Sequence, residues 1–248
     1  MRIALIGYGK MGQLIHQLCR KQGIEVASII DPMAEGATNK RIDEDSMNGV
    51  DVCIDFSHPK HVIDNAEAAA SFGKDIVIGT TGWYDQADRM EAIAYDNNIG
   101  IIWSGNFSLG MNIFMRVVSD AARICGRFDE YDAYAVEEHH RMKADAPSGT
   151  AMMLADCIMK GMTKKRKAVY DKPAGKLAND ELHFASVRGG YVPGTHSVVF
   201  DSAADSIMLK HTARSREGFA IGAIEAAKWI KGRKGYFGIN DMMDSIIG

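Results

Sequence analysis

The chain has 248 residues, 46% of them apolar and 25% charged, a composition that suits one large or two modest cores and leaves little room for extended disorder. A formal charge of -3 argues against a general nucleic-acid coat, and no apolar run reaches the roughly 18 residues of a membrane span. Four scattered cysteines, Cys19, Cys53, Cys125 and Cys157, form no C-x-x-C pair; they read as reduced, mostly buried thiols, and a cytoplasmic location is the default expectation.

Short β-branched runs at "RIALI", "EVASII", "VDVCID", "DIVIG" and "GIIW" alternate with helical patterns over Lys10 to Gln22, Pro59 to Phe72 and Tyr84 to Asn97. Pro59 suits a first helical turn. This rhythm predicts a doubly wound α/β unit with a parallel sheet. From Leu109 the pattern changes to a long helix ending at Cys125, a strand through "YDAYAVEEHH" and a helix from Gly149 to about Met162. The basic run "KKRK" at 164 to 167 reads as a solvated loop. Three further strands follow at "LHFASVRG", "HSVVFDSA" and "DSIMLKHTA", the last two joined by "SAAD" as an antiparallel hairpin, which predicts an α+β second unit. The chain is expected to end in the helix "EGFAIGAIEAAKWIKG", whose small residues suit close packing on the first unit.

"IALIGYGKMGQLI" places Gly7, Gly9 and Gly12 as G-x-G-x-x-G after a strand and at the opening of a helix. Gly7 permits the tight turn, Gly9 lets backbone approach a pyrophosphate, and Gly12 allows close helix packing. Asp31, at the end of the second strand, is positioned to accept from ribose hydroxyls. Gly79, Thr80 and Thr81 after the fourth strand and Asn106 and Phe107 after the fifth are candidates for the nicotinamide end, and Lys10, Met11, Phe56 and Ser57 complete the candidate cofactor set.

"VEEHHRMKADAPSGTA" at 136 to 151 carries the second set. A zinc reading is disfavoured because His139 and His140 are neighbours on an extended segment and point to opposite faces. A core-histidine reading fits poorly because Glu137, Glu138, Arg141 and Lys143 would all need buried partners. A solvent-facing polar strand end remains open. In the functional reading Ser148, Gly149 and Thr150 open a helix as a carboxylate cradle, beside which Lys143 and the histidines offer positive charge and proton donors. Cofactor in the first unit and acid in the second describe a reductase of an anionic substrate; the alternatives are a non-catalytic NAD(H) sensor and another two-domain dehydrogenase of an amino-acid-derived carboxylate.

The full chain resembles the dihydrodipicolinate reductase family of diaminopimelate and lysine synthesis, through "GYGKMG", "DFS", "GTTG", "NFSLG", "EEHHRMKADAPSGTA", "SVRGGYVPGTHSVVF" and "LKHTARSREGFAIGAIEAAKW". The resemblance implies a Rossmann-type unit, residues 1–106 with 217–248, that binds the dinucleotide. It also implies a smaller α+β unit with an open mixed sheet, residues 107–216, for substrate binding and assembly into a homotetramer. His139 would be the proton donor, His140 and Lys143 would meet substrate, Lys143 also being a candidate acid, and Gly149 and Thr150 would hold a carboxylate. The implied reaction is NAD(P)H-dependent reduction of 4-hydroxy-tetrahydrodipicolinate to tetrahydrodipicolinate with loss of water, without a metal. A substrate dianion would raise the His139 pKa, so that imidazolium is populated near neutral pH. The turn "DPMAEG" departs from relatives that carry an arginine after the acid, and with Asp31 present NADH is the expected preference.

Overall fold

The first five strands and the helix from Lys10 form where the alternation places them, and the next two helices begin three residues later than expected. A computed structural model describes residues 1–173 and 175–247. Strands β1 (Arg2–Ile6), β2 (Glu25–Ile30), β3 (Val52–Asp55), β4 (Asp75–Ile78) and β5 (Gly100–Trp103) are joined by β11 (Gly235–Gly238) in one six-stranded sheet of order β11-β5-β4-β3-β1-β2. Every pairing is parallel. Because strand side chains alternate between faces, the sheet feeds two cores. Ile3, Leu5, Val52, Ile54, Val77 and Ile102 pack with helices α1 (Lys10–Lys21), α7 (Glu217–Ile230) and α8 (Ile239–Ile247). Ala4, Ile6, Cys53, Ile76, Ile78 and Ile101 pack with α3 (Val62–Ser71) and α4 (Ala87–Asp96). The result is the Rossmann-type doubly wound architecture, with the strand order reversing between β1 and β3.

The second sheet is mixed, in the order β10-β9-β6-β8-β7. Its strands are β6 (Asp132–His139), β7 (Lys167–Val169), β8 (Glu181–Arg188), β9 (Thr195–Asp201) and β10 (Ser206–Thr212). The β9–β10 pair is the expected antiparallel hairpin. Helices α5 (Leu109–Cys125) and α6 (Gly149–Gly161) cover one face, burying Phe114, Val118, Leu154 and Ile158 against Ala133, Ala135, Phe184, Val198 and Phe200. Tyr134, Val187, Ile207 and Met208 are exposed on the sheet strands.

The chain divides into residues 1–109 with 217–248 and residues 110–216. The expected boundary at 106/107 falls slightly early, because Phe107 is 1% exposed in the first core and packs with α7. Four other expectations are corrected. Pro59 precedes its helix, which begins at Val62 after a turn closed by the His61 N–H on the His58 carbonyl. The helix expected from Tyr84 starts as a 3-10 turn at Tyr84–Gln86. "KKRK" is not a solvated loop: Lys165 is buried and donates to the carbonyls of Asn179 and Glu181, while Lys167 opens β7. The chain does not end in α7, since β11 and α8 follow. The short helix α2 (Glu44–Met47), capped by Asp43, was likewise not anticipated. All four cysteines are free, with Cys157 half-buried and the others buried. No described helix is long and apolar enough to cross a membrane.

Helix α7 lies close because it is made of small residues, Ala220, Gly222, Ala223, Ala226 and Ala227. A Cβ on Gly222 would stand 1.7 Å from the Phe107 carbonyl oxygen, a backbone atom that has no side-chain freedom to yield. Gly222→Ala should therefore destabilise the protein by about 1–3 kcal/mol or more, read as a lower urea midpoint; an unchanged midpoint would show that α7 is free to shift.

Candidate active site

In the first unit, Gly7 adopts φ +89°, and a Cβ there would come within 2.5 Å of the Phe56 carbonyl oxygen, so the β1 and β3 loops meet backbone to backbone. Gly12 stands against the Gly7 carbonyl in the same way. Gly9 has open space where a side chain would be. It precedes α1, whose first turn has no acidic residue and no side-chain cap, so its leading N–H groups face outward without an internal acceptor. A bare turn of this kind fits a pyrophosphate, and the residues present fit a dinucleotide. Lys10 is exposed and Met11 is half-buried against the core.

Asp31 is fixed by three backbone donors. Oδ2 accepts from Tyr8 N at 2.8 Å, and Oδ1 accepts from Met33 N and Ala34 N at 2.8 and 2.9 Å. Its modest burial would raise the carboxyl, but these donors together with Lys40 hold it below the usual carboxylate range. Arg41 is occupied with Asp43.

One residue the sequence reading passed over organises the neighbouring loops. Asp55, the acid of "DFS", is buried; its Oδ1 accepts from Ser57 N, the Ser57 hydroxyl and the Thr80 hydroxyl, and its Oδ2 accepts from Asn65 Nδ2. Burial pushes this carboxyl up even against those donors. Ser57 and Thr80 are thus held together, with the Phe56 ring against Gly79. Thr81 is exposed and Asn106 is buried. Phe107, the other candidate of that loop, has a buried side chain packed edge-on to Phe56 at 6.5 Å.

In the second unit, strand register builds the site. Residues 133, 135, 137 and 139 of β6 are buried and alternate with more open neighbours, so Glu137 and His139 share the helix-covered face while His140 follows beyond the strand end. Glu137 pairs with Ser186 on β8 and with His196 on β9, and His139 pairs with Arg188. Glu137 is fully buried. Its Oε1 accepts from Ser148 N at 3.0 Å, the Ser186 hydroxyl at 2.7 Å and Arg188 Nη2 at 2.7 Å, and its Oε2 accepts from the Ser148 hydroxyl. His139 Nδ1 lies 3.3 Å and His196 Nε2 3.6 Å from the same Oε2, close contacts outside aligned hydrogen-bond geometry. Burial would raise the carboxyl, yet the groups around it, His196, Ser148, Arg188 and Ser186, hold it far below the usual range.

Of the charged neighbours only Glu137 is buried, and it finds its partners, so the argument against a buried His139 is corrected: it is 8% exposed. Burial is the main reason its pKa falls, to about 4; Glu137 opposes the fall, and His196, Lys143 and Arg188 add to it. The imidazole is therefore neutral at neutral pH in the protein alone. Glu137, His139 and His196 place ligand-type atoms within 4.8 Å of one another, the one such triad among the described residues. The Glu137 oxygens already accept four hydrogen bonds and an arginine stands beside them, so the cluster is a poor cation site.

Ser148 caps α6 by accepting from Ala151 N while donating to Glu137. Its hydroxyl is thus engaged inside the protein, at the point where the helix opens. Gly149, by contrast, is exposed with open space beside it, and Thr150 sits with it in the first turn of α6, where no acidic residue opposes an anion. Lys143 is paired with Asp145 at 2.7 Å, and the Arg188 guanidinium also donates to the Asp145 carbonyl. Arg188, Ser186 and His196 lay inside a quoted stretch of sequence, but only the register shows that they converge on Glu137.

Known proteins match this chain along its length. The N-terminal model of dihydrodipicolinate reductase matches residues 1–107, and the C-terminal model of the same enzyme matches residues 110–243. A 4-hydroxy-tetrahydrodipicolinate reductase from Christiangramia forsetii is 34% identical over 246 residues, covering 99% of both chains. One from Archaeoglobus fulgidus is 36% identical over 263 residues, covering 98% of this chain and all of the relative. The dipicolinate-bound dihydrodipicolinate reductase of Paenisporosarcina sp. TG-14 shares the fold, with a TM-score of 0.78, 24% identity and coverage of 97% and 98%. Matched in both halves and end to end with its relatives, the chain belongs to the dihydrodipicolinate reductase family.

Proposed function

We propose that the chain reduces 4-hydroxy-tetrahydrodipicolinate to tetrahydrodipicolinate with a nicotinamide dinucleotide, releasing water, in diaminopimelate and lysine synthesis. The observation that carries the reading is the pairing of two features: a bare glycine turn that fits a dinucleotide, and an imidazole and a lysine beside an open helix start that fits a carboxylate. A dinucleotide sensor needs no such second feature.

Bound NAD(P)H supplies the hydride. Gly149 and Thr150 offer backbone N–H groups to one substrate carboxylate, and Lys143 and His140 face the anion with donors. His139 is neutral in the free protein and becomes the acid when a dianion arrives: the added negative charge favours imidazolium, and its proton passes to the ring that has just accepted hydride. Protonating at the moment electron density develops stabilises the transition state more than the ground state. In the first unit Gly7, Gly9 and Gly12 shape the pyrophosphate turn, with Lys10 and Met11 beside it, and Phe56, Ser57, Gly79, Thr80, Thr81 and Asn106 line the nicotinamide end. Asp31 receives the ribose hydroxyls and disfavours a 2′-phosphate by like charge, giving NADH the preference. The exposed apolar side chains of the second sheet support a homotetramer built through that sheet. The four free thiols fit a reducing compartment, and a cytoplasmic location belongs to the same reading.

The direct test makes the unstable substrate in place, from pyruvate and aspartate semialdehyde with the preceding synthase, and follows nicotinamide oxidation. Turnover should appear only with the synthase present, and none at all would overturn the reading. In that assay His139→Gln should lower kcat by about 10²–10⁴-fold with little change in nicotinamide affinity; near wild-type turnover would move the acid to Lys143. Wild type should favour NADH in kcat/KM and Asp31→Ser should lose part of that bias. A wild-type preference for NADPH of about tenfold would show that Lys10 and Lys40 outweigh Asp31. Light scattering at micromolar concentration should give four times the 27.1 kDa chain mass, against which a monomeric mass would count decisively.

A further inference from the structure

Glu137 is a fully buried anion that the proton transfer does not itself use, and its surroundings are arranged around one oxygen. Oε1 is taken by Ser148 N, Ser186 and Arg188, while Oε2, beyond the Ser148 hydroxyl, faces only imidazoles. His139 and His196 approach it as a T-shaped pair, ring centroids 5.3 Å apart and planes at 77°. The Nδ1 edge of His139 is buried with no aligned hydrogen-bond partner, and the carboxylate facing it at 3.3 Å is Glu137 Oε2. Its other edge looks toward Gly194: a Cβ there would stand 3.1 Å from Nε2, and φ at Gly194 is +153°, so only glycine both takes this backbone shape and leaves Nε2 uncovered.

We propose that Glu137 is the positioning residue for His139, its carboxylate holding the Nδ1–H edge so that Nε2 is the atom that exchanges the proton with the substrate. The inference rests on the reading of His139 as proton donor. In the step, the Nε2–H bond breaks and its electron pair stays on the ring; the proton forms the new bond on the reduced substrate, and a neutral imidazole with its hydrogen on Nδ1 remains against Glu137. Solvent water returns the proton when the next dianion binds. The clamp acts through geometry and charge together. Four donors leave the carboxylate no freedom to turn, so a small rotation of the imidazole is what brings Nδ1–H onto Oε2, and an acceptor fixed in this way selects one tautomer. The charged and titratable groups around His139 are Glu137 on its own strand, His196 on β9, Arg188 on β8 and Lys143 in the following loop. Of these Glu137 alone favours the imidazolium, so its removal lowers the donor's pKa and makes kcat fall at lower pH.

Two measurements test this. Nitrogen-15 spectra of the histidine rings in the wild-type protein, assigned with His139→Gln, should show neutral His139 protonated on Nδ1 and bare on Nε2; the opposite tautomer would overturn the inference whether or not any Glu137 variant folds. In the coupled assay Glu137→Gln should move the alkaline limb of the kcat profile about one unit lower, an approximately tenfold loss on that limb, with the nicotinamide KM within about twofold. Glu137→Asp should recover part of the shift, and Glu137→Gln added to His139→Gln should cost nothing further. A uniform loss at every pH, additive with His139→Gln, would make Glu137 a purely structural residue and overturn the inference alone. Wild-type turnover in His139→Gln would instead remove the donor reading and the inference with it.

Discussion

The buried carboxylate of Glu137 is the constraint on which the second unit's chemistry depends. An isolated carboxylate in a protein interior is costly, and this one is tolerated because β8, β9 and the start of α6 each bring a partner to it. Those partners set the position of the residues proposed to meet substrate. Ser148 fixes where α6 begins, and so where Gly149 and Thr150 present their N–H groups. Arg188 reaches from Glu137 to the Asp145 carbonyl, and Asp145 holds Lys143. One desolvated charge thereby ties strand register, helix start and lysine loop into a single arrangement, in which loss of any donor leaves charge unbalanced.

The first unit uses acids in two different ways. Asp31 is a half-buried anion held by Tyr8, Met33 and Ala34 N–H groups, so its charge persists across the neutral range and acts on whatever sits at the end of β2. Asp55 is fully buried with no cation among its hydrogen-bonding partners, and burial shifts its carboxyl toward the protonated form. Its work is to hold Ser57, Thr80 and Asn65 together across the ends of β3 and β4. A hub of this kind shapes the loops from inside the protein.

Most of the first unit was legible because its signals are local. The short β-branched runs "RIALI" and "EVASII" and the glycine spacing after β1 are each read within a few residues of chain. β11 was not legible: "GYFG" is short and bounded by glycines, and its turn is anchored by Gly232 N on Asp75, far upstream. The second site was half legible for the same reason. The histidines, Lys143 and the helix start lie in one continuous string, whereas His196, Ser186 and Arg188 join it only through the pairing of β6 with β8 and β9. Glu137 was visible but misjudged, since a carboxylate among charged neighbours looks solvated until its partners on other strands are known. Ser148 was visible as the start of a helix, but not its hydrogen bond to Glu137 across the unit.

The central claim is that His139 is uncharged until a dicarboxylate arrives and takes up its proton with the ligand. Calorimetry of dipicolinate binding to the protein–NADH complex near pH 7, repeated in buffers of different ionisation enthalpy, counts the protons that accompany binding. Uptake approaching about one proton in the wild type, and largely absent in His139→Gln, is the predicted result. Binding without proton uptake, or uptake that His139→Gln leaves unchanged, would contradict the account.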